Sequence, residues 1–243
     1  MLSVCIATYN GSHYIKAQLD SILDQLDPED EIVLCDDCSI DNTVALVSDY
    51  EDPRIRIFVN DRNIGHVRTF EKAIRLASGA LIALSDQDDI WIAGRLELMK
   101  KVFRENGKVV LVASNYGLIN ADSDRVGHFD GLKEHPKTRL GRIVGIFLGK
   151  LPILGCTILM TKTIAERSLP FPLGVEAHDI WIPLVANTFG KTHHLLQSTL
   201  DHRIHANNLT PTKKRSLGII LRSRYRLLMS YLGLLFANIR RKP

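Results

Sequence analysis

The sequence predicts an α/β protein: a doubly wound, mostly parallel sheet with helices on both faces, followed by a basic amphipathic helix. Three observations carry this. Apolar runs alternate with helical periodicities through residues 2–84, polar clusters recur at the end of each run, and the charge changes sign near residue 213. Strands alternating with helices imply parallel βαβ units. Such sheets bind ligands beyond the carboxyl ends of their strands.

Leu2 to Ala7 is an apolar run that reads as a core strand and lacks a basic leader. After the Asn10-Gly11-Ser12 turn, Tyr14 to Leu26 sets Ile15, Leu19, Ile22, Leu23 and Leu26 on one helical face. Glu31 to Cys35 reads as a strand, Asn42 to Tyr50 as a helix, and Arg54 to Val59 as a strand. Val67 to Leu76 is a helix ending at Ser78-Gly79, and Ala80 to Leu84 a fourth strand. Beyond it the rhythm loosens. Trp91 to Glu105 reads as a helix, Val109 to Ser114 as a strand, Ala121 to Pro136 as a polar loop, and Arg139 to Leu148 as a helix. Ile153 to Thr161 reads as a strand carrying Gly155 and Cys156, and Ile180 to Ala186 as an apolar helix.

With 45% hydrophobic and 24% charged residues, the 243-residue chain has an ordinary globular composition, which excludes disorder and a disulfide scaffold. Cys5, Cys35, Cys38 and Cys156 lack paired metal spacing and read as reduced thiols of a reducing compartment. Residues 213–243 hold nine basic side chains and no acidic one, leaving 22 basic against 27 acidic residues before them. An acidic body with a basic end is not a nucleic-acid-binding pattern. In that end Leu217, Leu221, Tyr225, Leu228, Leu232, Leu235 and Ile239 form one helical stripe. The apolar stretch Leu227 to Phe236 is far short of the ~20 residues that span a bilayer. It reads as a helix lying on anionic lipid, or as one packed on the domain or in an oligomer interface.

Four polar clusters fall at strand ends: Thr8-Tyr9-Asn10, Asp36-Asp37-Cys38-Ser39, Asn60 to Gly65, and Asp86-Gln87-Asp88-Asp89. Asp37 is a candidate acceptor for a base imide or ribose, and Asp36 for either that or the loop. Ser39, with Asp41-Asn42-Thr43, also reads as a helix cap. No GxGxxG or P-loop occurs, which argues against a dinucleotide dehydrogenase or a Walker-type ATPase. Three carboxylates in four residues repel unless a cation or solvent relieves them, which suits a hard divalent ion. They also read as an acidic helix start.

Ser3 to Leu19, Asp36-Asp37-x-Ser39, Asn63-x-Gly65, Ser85 to Trp91, Gly155-Cys156, His178-Asp179-Ile180-Trp181 and Arg203-x-His205-x-Asn207-Asn208 together resemble family 2 glycosyltransferases, particularly bacterial rhamnosyltransferase-like members. The resemblance covers about residues 2–212 and implies the Rossmann-like GT-A fold. It implies a nucleotide-sugar-binding half (1–105) and an acceptor-binding half (106–212), with 213–243 as the basic helix. The implied reaction is an inverting transfer from dTDP-rhamnose or a UDP-hexose to a hydroxyl of a cell-surface polysaccharide precursor. Thr8, Tyr9, Asn10, Asp36, Asp37, Asn63, Gly65, Arg68 and Asp86 would hold the donor. Asp86, Asp88, Asp89 and His205 would hold Mn²⁺ or Mg²⁺, with Asp88 or Asp89 as the direct ligand. Asp179 matches the general base, although by itself it also reads as an N-cap. Gly155, Cys156, His178 and Trp181 would lie on the acceptor side.

Implied partners are the donor, a glycan or lipid-linked saccharide, and an anionic membrane surface contacted through 213–243, with no nucleic acid. The implied place is peripheral, at the inner face of the cell membrane. Cys38 stands where many relatives have Gly, so a positive φ there would be strained. A non-catalytic nucleotide-sugar-binding or scaffold protein is the alternative.

Overall fold

The structure is a computed structural model that describes residues 1–129, 136, 138–151, 153–205, 208 and 216–240. Its elements run β1 (Leu2–Thr8), α1 (Ile15–Leu23), β2 (Glu31–Asp36), α2 (Thr43–Ser48), β3 (Ile55–Val59), α3 (His66–Leu76), β4 (Leu81–Ser85), β5 (Ile90–Trp91) and α4 (Arg95–Glu105). They continue with β6 (Val109–Ile119), β7 (Arg125–His128), α5 (Arg139–Phe147), a 3₁₀ turn (Gly155–Thr157), β8 (Leu159–Thr161), α6 (Lys162–Ser168), α7 (His178–Phe189), β9 (Lys191–Arg203) and α8 (Leu217–Arg240).

Strands β3, β2, β1 and β4 are mutually parallel neighbours, and the sheet continues through β8, β6, β9 and β5, with β7 added to β6. Both faces of the parallel part are covered, so β1 and β2 are apolar almost throughout rather than alternating. On one face Cys5, Val33 and Leu84 meet Phe70 and Ile74 of α3, Ile164 of α6, and Ile182 and Val185 of α7. On the other, Val4, Ile6 and Leu34 meet Ile15, Leu19 and Ile22 of α1, Val47 of α2, and Leu96 and Met99 of α4. The expected helices on both faces are present.

The second half departs from the expected elements. Trp91 is in a strand, with Ile90 and Trp91 pairing Asp201 and Leu200, and α4 starts only after Gly94, whose φ of +81° breaks the helical periodicity. Strand β6 runs on to Ile119, and within the segment expected as a loop Arg125–His128 folds back as β7 along it, while residues 130–135 of that segment lie outside the described residues. In place of a strand from Ile153, the chain makes the 3₁₀ turn at Gly155 before β8. Strand β9 escapes the sequence pattern because its register against β6 shifts three times, which breaks the period of two.

Helix α8 has two apolar faces. Leu227 is buried against the body, Tyr231 and Leu234 pack beside it, and the Thr188 hydroxyl bonds the Tyr231 hydroxyl at 3.0 Å. Leu217, Leu221, Tyr225 and Leu228 of the expected stripe point outward instead. Cys5, Cys35 and Cys156 are buried free thiols.

At the opposite end of the sheet from the polar rim, Glu31 gathers β1, β2 and the turn before β4. It accepts from the Ser3 hydroxyl (2.6 Å), the Ser78 amide (2.7 Å) and hydroxyl (2.8 Å), and Arg56 (2.6 Å). Burial alone would raise its pKa, but these donors outweigh burial and hold it at about 2. The native value lies below the unfolded one, so this stabilisation is present above about pH 5 and disappears as pH falls toward 2. Glu31→Gln is expected to cost about 1–3 kcal/mol at neutral pH and to narrow the gap to wild type at pH 3, measured by urea melts at both pH values.

Candidate functional site

Parallel register brings the strand ends to one rim: Thr8 stands beside Asp36, and Ile6 beside Ser85. Asp36 is fully buried. It accepts from the Thr8 hydroxyl (2.8 Å) and from the Ser39 amide and hydroxyl (2.7 and 2.6 Å). Asp37 accepts from the Asn60 amide group (2.9 Å) and the Ile64 and Gly65 amides (both 2.8 Å). Both aspartates therefore hold loops, and Asp37 spends both oxygens on donors of its own chain. Gly65 has φ +84° and Cys38 φ +67°, the left-handed geometry that a glycine would adopt without strain. Ser39 caps no helix; its hydroxyl accepts from the Asn10 amide at 2.8 Å, and Asn42 is the cap residue of α2.

Tyr9 and Asn10 stay at the surface of this rim. The Tyr9 amide and carbonyl pair with the Gln87 side chain at 2.8 and 3.2 Å, tying the first loop to the acidic loop. Asn63 accepts from the Gly65 amide at 3.2 Å. Arg68 pairs with Glu71 and donates to the Phe171 carbonyl at 2.9 Å, anchoring the segment before α7.

The acidic loop divides its three carboxylates. Asp89 has no exposed surface and faces inward, accepting from His202 Nδ1 (2.7 Å) and the Arg203 amide (3.2 Å). Asp89, Cys156 and His202 bring their ligand-type atoms within 4.8 Å of one another. The Arg203 guanidinium, also buried, donates to the carbonyls of Asp88 (2.8 Å), Asn120 and Ala121 (both 3.0 Å), and to the Ser123 hydroxyl (2.9 Å). Asp88 faces His205, with Oδ2 and Nε2 2.8 Å apart. Tyr14 lies between His205 and Arg203, its ring centre 4.9 Å from the imidazole and 4.6 Å from the guanidinium carbon.

Burial, then the charges of Asp89 and Asp88, push Asp86 up to about 8, and burial and Asp89 raise Asp88. For His202 burial acts the other way, but the hydrogen bond and charge of Asp89 lift it to about 9. Crowded carboxylates beside an imidazole form a donor set that a divalent cation fits, since its charge would relieve the repulsion.

Asp179 occupies the first turn of α7, not the cap position, which is Ala177. Burial raises its pKa to about 6, and the amides of Asp179 and Ile180 oppose that in part. Its charge adds a small push to Asp86, after burial and the charges of Asp89 and Asp88.

The expected acceptor-side residues are instead core. Cys156 is fully buried, and buried Trp181 donates to the Ser168 carbonyl at 2.9 Å. His178 is 5% exposed, lies 4.3 Å from the Phe70 ring centre, and has no hydrogen-bond partner on either nitrogen among the described residues. Burial lowers its pKa to about 3, so it is neutral. A Cβ on Gly155 would meet His178 Nε2 at 2.4 Å, so the space beside Gly155 belongs to this ring, not to a sugar. The helical turn beginning at His178 sends residues 178 and 181 inward, away from Asp179.

Tyr14, Gln87 and His202 were not singled out from the sequence. His202 precedes the Arg203 motif, but its role depends on strand β9, which the pattern conceals.

Gly155→Ala is expected to destabilise the protein by about 1–3 kcal/mol through overpacking against His178. Combined with His178→Ala, the cost should fall short of the sum of the single variants by at least about 1 kcal/mol, measured by a double-mutant cycle of chemical denaturation.

The model of glycosyl transferase family 2 matches residues 3–162. The chain is 32% identical over 187 residues to the Escherichia coli UDP-Glc:alpha-D-GlcNAc-diphosphoundecaprenol beta-1,3-glucosyltransferase WfgD, covering 76% of this chain and 70% of that one. It is 27% identical over 218 residues to a second E. coli glucosyltransferase named for the same donor and acceptor, WfaP, covering 89% and 82%. The crystal structure of S. aureus TarS 1-349 in complex with UDP-GlcNAc superposes with TM-score 0.70 at 18% identity, covering 97% of this chain and 72% of that one. A second structure of TarS 1-349 gives TM-score 0.65, with this chain spanning 60% of its length. The sheet, with its helices on both faces, is thus the GT-A fold, and the chain belongs to glycosyltransferase family 2.

Proposed function

We propose that this chain is an inverting, metal-dependent glycosyltransferase that moves a sugar from a nucleoside-diphosphate donor to a hydroxyl of a lipid-linked saccharide precursor. The observation that carries this reading is Asp179, a carboxyl in the first turn of α7 whose pKa burial raises to about 6, in a chain that also sets Asp88 against His205 on the acidic loop. In a single displacement the acceptor oxygen bonds to the anomeric carbon as the bond to the diphosphate breaks. Asp179 takes the acceptor proton, and a base with pKa near the working pH suits that transfer. The relatives named for UDP-Glc and the neighbour solved with UDP-GlcNAc favour a UDP-hexose over dTDP-rhamnose. The relatives named for a diphosphoundecaprenol acceptor favour a lipid-linked saccharide.

Asp88 and His205 would hold the cation, Mn²⁺ ahead of Mg²⁺ because an imidazole joins the carboxylate. When bound, it would stabilise charge developing on the leaving diphosphate. Asp89, turned inward to His202, supports the loop instead. No described helix is long and apolar enough to cross a membrane, and the outward apolar stripe of α8 with its arginines favours attachment to an anionic bilayer surface, which we place at the inner face of the cell membrane.

Asp179→Asn is expected to lower transfer on the order of 10²–10⁴-fold while leaving UDP-sugar affinity and melting temperature close to wild type. Wild-type kcat/KM should fall as pH drops through about 6. Near-wild-type turnover of the variant would remove Asp179 from the reaction, and absence of any turnover in wild type would favour the scaffold alternative. Asp88→Asn and His205→Ala should each weaken Mn²⁺ binding, read by calorimetry with the ion alone, and chelation should weaken UDP-sugar binding in wild type. A wild type that binds the sugar nucleotide equally well in excess chelator would overturn the metal assignment.

A further inference from the structure

We infer that the exposed apolar face of α5 and the tip of the loop before α7 join α8 in one platform that seats on an anionic phospholipid surface; this rests on the reading that α8 meets such a surface. Helix α8 lies between two walls. On one side Arg224 covers Gly149, where an added Cβ would meet its guanidinium at 2.8 Å, and Phe147 packs at 5.7 Å from the Tyr231 ring centre. On the other, a Cβ on Gly174 would meet Arg226 Cβ at 3.2 Å. The residues next to these two glycines carry apolar side chains into solvent: Leu148 is 60% and Leu173 95% exposed.

Leu148 ends a stripe on α5 with Leu140 and Val144, each four residues apart and all exposed, while Ile146 of the same helix is buried. Leu148 and Leu173 therefore flank the outward row Leu221, Tyr225 and Leu228. So much apolar surface in one place marks an interaction site.

The charges select its partner. Exposed Arg139 and Lys150 bracket the α5 stripe, and exposed Arg222 and Arg226 line α8, with no acidic residue after 213. Glu176, beside them, bonds the Ser223 hydroxyl at 3.2 Å. A second copy meeting this face by two-fold symmetry would set these cations against their own image. Anionic headgroups over acyl chains match both the basic and the apolar parts. The platform also lies close to the proposed base. The inner side of α8 meets Val175, Ala177 and Ile180, the residues around Asp179, so a membrane-held acceptor would reach the site from the surface on which the protein sits.

The test is co-flotation of the full chain with phosphatidylglycerol–phosphatidylcholine vesicles and with pure phosphatidylcholine vesicles, alongside melting temperature and sedimentation. Leu148→Asp, Leu173→Asp and Leu221→Asp should each weaken partition on the order of tenfold without lowering the melting temperature, because these side chains are exposed. Leu196→Asp, an exposed leucine on β9, should change partition less than about twofold by the same reckoning. If Leu221→Asp loses binding while Leu148→Asp and Leu173→Asp float like wild type, the extended platform is overturned and the attachment of α8 survives. If wild type does not float, both readings fall. A wild-type dimer that Leu173→Asp converts to a monomer, with no flotation of either, assigns the face to a second copy and overturns the platform.

Discussion

The site depends on a carboxylate that never meets solvent. Asp89 is held by the His202 ring and the Arg203 amide, and the Arg203 guanidinium in turn grips the carbonyl of Asp88 and the turn at Asn120 to Ser123. Taking a carboxylate and a guanidinium out of water is costly unless their hydrogen-bonding capacity is met. Backbone carbonyls largely meet it for Arg203, whereas Asp89 takes both its hydrogen bonds on Oδ1 and its buried Oδ2 has no partner among the described residues. That knot fastens the acidic loop to the end of β9. Asp88 faces His205, and the Tyr14 ring packs against both His205 and Arg203. Asp89 is matched by a raised His202, and Asp86, crowded by burial and its two neighbours, is pushed up to about 8.

A second, apolar arrangement sets the opposite wall. His178 stays neutral among Phe70, Phe171 and His66 and fills the hollow that Gly155 leaves. Arg68 and Glu71 of α3 hold Phe171 through its carbonyl and amide. Together they seat the first turn of α7, so among the described residues Asp179 is positioned by the packing of that turn rather than by a side-chain partner of its own. Helix α8 then leans on the same turn from outside. The acidic loop and the first turn of α7 are thus braced by different physics, the first by buried charge and hydrogen bonds, the second by ring packing.

Most of the parallel half was legible in the sequence. Strands buried on both faces read as unbroken apolar runs, and helices of six to eleven residues read by their period, so β1 to β4 and their helices came out within a residue or three. The polar clusters at the strand ends followed from the same alternation. The second half was less legible. Strand β9 has bulges against β6, the two-residue β5 is shorter than any pattern, and a positive φ at Gly94 delays α4.

By itself the sequence determined the fold class and the family, and it singled out Asp86 to Asp89, Asp179 and His205, because periodicity and motif spacing are local properties of a chain. Only the tertiary structure decided which carboxylate faces which partner. Asp88 and Asp89 are adjacent in sequence and chemically identical, yet one meets His205 and the other His202, over a hundred residues away. The same holds for His178 and Asp179, where one neighbour is buried in the core and the other is only partly buried, and for α8, whose expected stripe turned outward while Leu227 and Tyr231 docked. In each case the choice rests on burial against residues distant in the chain, and no local pattern carries that information.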